Sequence, residues 1–444
     1  MFDTSLLFAS TGELGRLLRT RKLSSVELTR FSLEALEAEG RALNAVAEVT
    51  RNLALRQARQ ADRELRAGTI RGPLHGIPYG AKDVLATRGI KTTWGAEPYR
   101  DQVFDYNAMA IDRLEAAGAV LIAKLSVGAL AMDDVWLDGV MTKNPWNLEE
   151  GSSGSSAGSA SATAAGCVGF AIGTETLGSI VSPATRCRVT GLRPTFGRVS
   201  RHGAMALSWT MDKIGPIGRS VEDCAIVFDA ILGPDGEDLT VVDLPFNYDA
   251  QLDVKRLRVG YVKSAFDEER DNRANDDQAL AVLRSLGIRL IPIALPDLPI
   301  SALDAILTAE SAAAFDELTR SNRDDQLARQ MKDAWPNVFR VSRLIPAVEY
   351  LQASRIRTLA MQAMDKLMQD IDVYVAPSFG GGNLRLTNLT GHPAVVVPNG
   401  VDTKDKSSSI TFTGKLYGEA ATLSVAKAYQ DATDFHLRQP DLKV

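Results

Sequence analysis

Hydrophobic positions in this chain follow two alternating spacings. Near the start, Val26, Leu28, Phe31, Leu33 and Leu36 recur at a roughly helical spacing. Ser10-x-x-Glu13 and Ser24-x-x-Glu27 each set a serine three residues before a glutamate, the mark of a capping box. The N-terminus is therefore expected to be helical. The apolar run over 43–49 predicts a strand, and 52–66, rich in Ala, Arg and Gln, predicts an amphipathic helix. The stretch 76–84 enters the interior and puts Lys82 on or just after a strand. A helix over 109–117 and a strand over 120–124 follow.

Farther along, helices are predicted over 220–232, 276–286 and 418–429, and strands over 258–262, 289–292, 373–377 and 395–398. The segment 300–357 reads as mostly helical, and its charge and alanine content suit an outer layer that roofs a pocket. Polar, proline-containing 235–255 reads as a loop and the best site for a subdomain seam. Ser378-Phe379-Gly380-Gly381-Gly382 reads as a mobile loop. Strands alternating with helices predict an α/β fold: one large domain over 1–444, with a central mixed twisted sheet covered by helices on both faces. Its core lies at about 70–225, and a helical lid or subdomain is expected at about 235–357.

Composition narrows the classes. Hydrophobic residues make up 45% of the 444 and charged residues 24%, enough apolar material for a sizeable core. A net charge of −5 gives no general attraction for nucleic acid. No charge-free apolar run approaches the roughly 18 residues of a spanning helix, so no membrane role is expected. The short apolar run 6–9 has no basic region before it and makes a poor signal peptide. Three cysteines, Cys167, Cys187 and Cys224, are too few for a disulfide framework and read as small buried residues. A cytoplasmic protein is expected. The four histidines, His75, His202, His392 and His436, lack paired ligand spacing, so neither a metal nor another cofactor is expected.

The most unusual stretch begins at Gly151: GSSGSSAGSASATAAGCVGFAIGTETLGSI. Serine and glycine at this density read on their own as a linker. The small, apolar run over 160–173 that follows is instead buried-type sequence. Flexible backbone beside apolar elements lets main-chain N–H groups approach a ligand. A serine hydroxyl needs a base before it can act as a nucleophile. None of the histidines stands in a familiar triad context. Lys82 is an alternative base, because burial disfavours the charged ammonium and lowers its pKa. A lone lysine on a strand can equally snorkel to the surface or pair with Asp83.

Several ordered segments carry a family resemblance. Ser153-Gly154-Ser155-Ser156-Ala157-Gly158-Ser159 is similar to G-G-S-S-G-G-S, and Gly173-Thr174-Glu175-Thr176-Leu177-Gly178-Ser179-Ile180 to G-T-D-T-G-G-S-I. Gly76-Ile77-Pro78-Tyr79-Gly80-Ala81-Lys82-Asp83 fits G-I-P-x-x-x-K-D. Matching stretches at 142–147, 191–200, 212–219 and 387–394 extend the likeness over nearly the whole chain. The chain thus resembles the amidase signature family of serine hydrolases, which are related to amidotransferase A-type subunits.

The resemblance implies a Ser–Ser–Lys triad. Ser179 is the nucleophile, Lys82 the base, and Ser155, after a cis Gly154–Ser155 peptide, relays the proton. It implies an oxyanion hole from the N–H groups of Thr176, Leu177, Gly178 and Ser179, with Ser156, Asp212 and Arg219 supporting the catalytic groups. Met132, Trp136, Trp209 and Phe379 are expected as substrate-pocket walls. The chain departs from the pattern at Leu177, where the family has glycine, at Glu175, where it has aspartate, and at Val181, where many members have arginine. These departures point to a small, neutral, apolar or aromatic amide, with esters and carbamates (urethanes) as side substrates. The alternative is a glutaminase-type subunit of a tRNA-dependent amidotransferase, which would need partner subunits.

Overall fold

A computed structural model describes residues 4–442. Eleven strands form one mixed sheet: β1 Val46–Val49, β2 Pro78–Lys82, β3 Val120–Leu125, β4 Phe170–Glu175, β5 Thr190–Arg193, β6 Lys213–Gly218, β7 Val259–Val262, β8 Leu290–Ile293, β9 Val373–Pro377, β10 Ala394–Val401 and β11 Ser407–Gly414. Their order across the sheet is β1-β3-β2-β4-β6-β5-β10-β11-β9-β7-β8. Strands β3, β2 and β4 run parallel, as do β9, β7 and β8. The centre, from β4 through β6, β5, β10 and β11 to β9, is antiparallel.

Every residue of β2, β3, β5, β6 and β9 is buried, as expected where helices cover both faces. The largest apolar cluster runs through Tyr79, Phe170, Ile214, Phe228, Val375 and Phe412. No helix among the described residues is long and apolar enough to cross a membrane.

Local chemistry accounts for the element boundaries. Ser24 accepts the Glu27 amide and Glu27 accepts the Ser24 amide, a full capping box on the Ser25–Ala35 helix. Ser10 caps the Thr11–Arg19 helix by accepting the Glu13 amide, while the Thr11 amide goes to Asp223. Ser220 and Asp223 box the Val221–Ile231 helix.

The predicted strands and helices are present with shifted ends, and Lys82 is the last residue of β2. Residues 235–253 hold no helix or strand, yet the chain then returns to the same sheet through β7 and β8. The 235–357 stretch therefore supplies two sheet strands as well as the outer helices Asp304–Ala314, Trp335–Ser342 and Ala347–Met368.

Candidate active site

The site forms where three parallel strand ends meet two serine-bearing loops. β2 delivers Lys82 to the interior, where its side chain is fully buried. Its Nζ lies 2.8 Å from Ser155 Oγ, 3.0 Å from Ser156 Oγ, 2.8 Å from Thr174 Oγ1 and 3.2 Å from the Thr174 carbonyl. Burial lowers the amine from its ordinary 10.5 to about 7, against the opposing charges of Asp212 and Glu175.

An uncharged amine has two N–H groups and one lone pair. The Ser156 hydroxyl is committed to the Thr174 carbonyl at 3.0 Å, and that carbonyl can only accept. The two N–H groups can go to Ser156 Oγ and the Thr174 carbonyl, which leaves the one lone pair to accept from a single hydroxyl, that of Ser155 or of Thr174. With Ser155 as that donor, the amine is poised to take its proton.

Ser155 follows a cis peptide bond from Gly154 and is buried. A Cβ at position 154 would sit 1.6 Å from the Asp133 carbonyl oxygen, so only glycine fits there. Asp134 accepts the Ser153 amide at 2.8 Å and steadies the approach to this turn. The chain then enters the Ala157–Ala164 helix, which packs fully buried against the sheet. The Ser156 amide donates to the Ser179 carbonyl at 3.2 Å, joining the two serine loops.

The second loop leaves β4. Glu175, fully buried, accepts the Ile180 amide at 2.7 Å and the Val181 amide at 2.9 Å on one oxygen. Its other oxygen takes Arg193 Nη1 at 2.9 Å and Asn388 Nδ2 at 2.7 Å. Burial alone would raise its carboxyl; Arg193 and the Val181 amide hold it below the usual carboxylate range. Glutamate in the place of the family's aspartate thus serves as the anchor of the turn.

Between these anchors, the amides of Thr176, Leu177, Gly178 and Ser179 have no protein acceptor among the described residues. Gly178 has φ +126°, a conformation that disfavours any side chain. Four free N–H groups beside a half-buried serine hydroxyl can hold an oxyanion. The Ser179 hydroxyl makes no side-chain hydrogen bond among the described residues.

Asp212 accepts Thr176 Oγ1 at 2.6 Å and the Leu207 and Ser208 amides at 2.8 and 2.9 Å. Burial pushes its carboxyl up. Lys213, which no sequence motif marks, is also buried. It donates to the Met211 carbonyl and lies 3.5 Å from the Thr176 carbonyl, and burial holds its amine well below the usual lysine range.

A cavity of about 260 Å³ adjoins the site, with Thr174, Thr176, Asp212 and Lys213 on one side and Val84, Leu207 and Trp209 among its walls. Trp209 is the one expected wall residue found there. Met132 lies in a separate small apolar pocket with Leu327 and Trp335. Trp136 sits half-buried in the hairpin of Val135–Trp136 with Val140–Met141, and Phe379 is exposed on its loop.

Leu177 packs against Met211, before the Lys213–Gly218 strand, and against Leu303, Ile306 and Leu389. Arg219 is not at the site. It follows the far end of β6, where its guanidinium binds the carbonyls of Val168, Thr163 and Ala9. Six residues of strand carry the chain roughly 20 Å, which accounts for the separation from Asp212. His392 is buried and lowered to about 4 by desolvation, and none of the histidines contacts Lys82, Ser155 or Ser179 through a hydrogen bond. Among the described residues no group of His, Cys, Asp or Glu could hold a metal ion.

Comparison with known proteins identifies the family. The sequence model of the Amidase family matches residues 27–390. The A-type subunit of the glutamyl-tRNA(Gln) amidotransferase of Geobacter metallireducens is 34% identical, over 96% of this chain and 98% of that one. Its counterpart in Roseiflexus castenholzii is 33% identical, over 99% of both. Among solved structures, the peptide amidase from Stenotrophomonas maltophilia superposes with a TM-score of 0.88 at 28% identity, covering 98% of this chain and 99% of that one. A bacterial aryl acylamidase shares the fold with a TM-score of 0.85 at 20% identity, over 96% and 97% of the two chains. With the family model matched over residues 27–390 and the fold shared along the chain, this chain belongs to the amidase family and is an enzyme acting on carbon–nitrogen bonds.

Proposed function

We propose that this chain hydrolyses small, uncharged amides through an acyl-enzyme on Ser179. The observation that carries the reading is the contact of a fully buried Lys82 with Ser155, next to four unengaged amides at Thr176–Ser179. Ser179 Oγ attacks the carbonyl carbon while its proton passes to Ser155, whose own proton passes to the uncharged Nζ of Lys82. The carbonyl oxygen, now negative, is held by the free amides, each worth about 3 kcal/mol in the transition state. As the tetrahedral centre collapses, the C–N bond breaks and the proton returns from Lys82 through Ser155 to the leaving nitrogen. Water then attacks the acyl-enzyme by the same relay.

Substrate neutrality rests on the surroundings of the nucleophile. Val181 is buried among Ile180, Ala184 and Ala160, so the position where many members carry arginine offers no cation to a substrate carboxylate. Leu384 lies against Gly178: a Cβ on that glycine would meet its side chain at 3.2 Å. Aryl esters and carbamates pass through the same acyl or carbamoyl intermediate and are expected as further substrates.

A second reading is favoured by the relatives. Likeness to amidotransferase A-type subunits along 96% of the chain supports a protein that releases ammonia from glutamine within a complex. Values of kcat/KM for a neutral acyl anilide, an aryl ester and an aryl carbamate, set against glutamine and malonamate, separate the two. Preference for the neutral aryl amide supports the first. Preference for glutamine, rising when partner subunits are added, overturns it in favour of the second.

A further inference from the structure

The outer helical layer touches the oxyanion loop through two separate routes. The polar route starts at Glu310, on the Asp304–Ala314 helix and 5% exposed. One of its oxygens accepts the Ser208 hydroxyl at 2.5 Å and the Thr210 amide at 3.3 Å. The other accepts the Thr210 hydroxyl and the Tyr350 hydroxyl, each at 2.8 Å. Arg357, on the same helix as Tyr350, donates to the Thr210 hydroxyl and carbonyl, both at 2.6 Å.

Ser208 is the link inward. Its hydroxyl is on Glu310, and its amide is on Asp212, whose other oxygen holds Thr176 Oγ1 at 2.6 Å. Lys213 reaches the Thr176 carbonyl from the end of the same segment. The apolar route is Leu177, packed with Met211, Leu303 and Ile306.

Two features set Glu310 apart from an ordinary helix residue. It is a buried carboxylate with no direct ion pair among the described residues, held instead by four hydrogen bonds and by the charge of Arg357, which reaches it through Thr210. Three of its four hydrogen bonds, moreover, come from Ser208 and Thr210, at the heart of the segment that grips the first residue of the oxyanion loop.

We infer that Glu310 and Tyr350 are positioning residues for the oxyanion loop, acting through Ser208, Thr210 and Asp212 on Thr176. The outer helices are then a fixed brace on the catalytic geometry, and this rests on the reading that the Thr176–Ser179 amides bind the oxyanion. Release of the segment displaces amides that must meet the oxygen at hydrogen-bond distance, and small displacements of this kind are expensive in rate.

The test compares purified Glu310→Gln and Tyr350→Phe with wild type, each normalised to active sites titrated by a fluorophosphonate. Arg355→Gln is the control, since Arg355 is exposed on the same helix as Tyr350 and its side chain bonds only Gln352 among the described residues. Glu310→Gln is expected to lose about tenfold in kcat per titrated site, with KM within about twofold, and Tyr350→Phe a smaller factor in the same direction. A boronic acid that forms a tetrahedral adduct should lose affinity by the same factors, while an amide-bearing competitive inhibitor should not. A merely structural role lowers the number of titrated sites and leaves the boronic acid affinity unchanged. That result, or wild-type kcat in both variants, overturns the inference. A nucleophile found at a residue other than Ser179 instead overturns the proposed function, whatever these variants do.

Discussion

The ionisation of Lys82 makes a pH profile the most revealing perturbation short of mutation. An ordinary lysine, with a pKa near 10.4, is uncharged in only about one molecule in 2,500 at pH 7. Buried, with its pKa at about 7, Lys82 is uncharged in about half. If the free amine is the form that accepts the proton from Ser155, kcat/KM follows that fraction. The logarithm should rise with unit slope below pH 7 and level off above it. From pH 7 to pH 6 the rate falls about fivefold, and from pH 7 to pH 9 it no more than doubles. The sign is fixed by chemistry, because protonation removes the lone pair.

The assay is kcat/KM for a neutral acyl anilide from pH 5 to 9 in buffers of constant ionic strength, so that only the enzyme titrates. His202 is exposed and lines the cavity, so its replacement serves as the control. His202→Gln should leave the limb in place. A flat profile, a midpoint above pH 9, or a limb abolished by His202→Gln would refute the assignment of the base.

Other outcomes follow from the same geometry. Lys82→Ala should lose at least about a hundredfold in rate, and amides should suffer more than activated esters, whose leaving groups need less protonation. Gly178→Ala places a Cβ at φ +126° and 3.2 Å from Leu384 and Ser182 side chains. It should lower kcat more than it raises KM, as measured by steady-state kinetics. Activity should be unchanged by EDTA, and a loss that added metal restores would contradict a metal-free mechanism.

Much of the fold was legible because the periodicities are local. The capping serines, the buried β2 and the closing helix all declare themselves within about ten residues of sequence. β11 did not. Its sequence Ser407-Ser408-Ser409-Ile410-Thr411-Phe412-Thr413-Gly414 looks polar, yet it lies inside the sheet because its hydroxyls satisfy neighbours. Ser409 bonds Thr185 and Ser378, and Thr411 bonds Ser378. The Asn383–Thr390 helix was hidden behind three glycines.

At the site, the family resemblance brought Lys82, Ser155 and Ser179 into one reading, and the structure sets Ser155 against Lys82. Arg219 came in through the resemblance of the 212–219 segment to the family, and the strand that carries that segment takes Arg219 away from Asp212. Glu310 could not be read at all, since its partners Ser208 and Thr210 lie about a hundred residues away and no local pattern marks them.

The central claim is that Ser179 forms the covalent intermediate. Wild type and Ser179→Ala, treated with a fluorophosphonate and measured as intact mass, test it most directly. One adduct on the wild type, mapped to the peptide containing Ser179, and none on the variant is the expected result. Labelling that persists in Ser179→Ala would place the nucleophile elsewhere and contradict the mechanism.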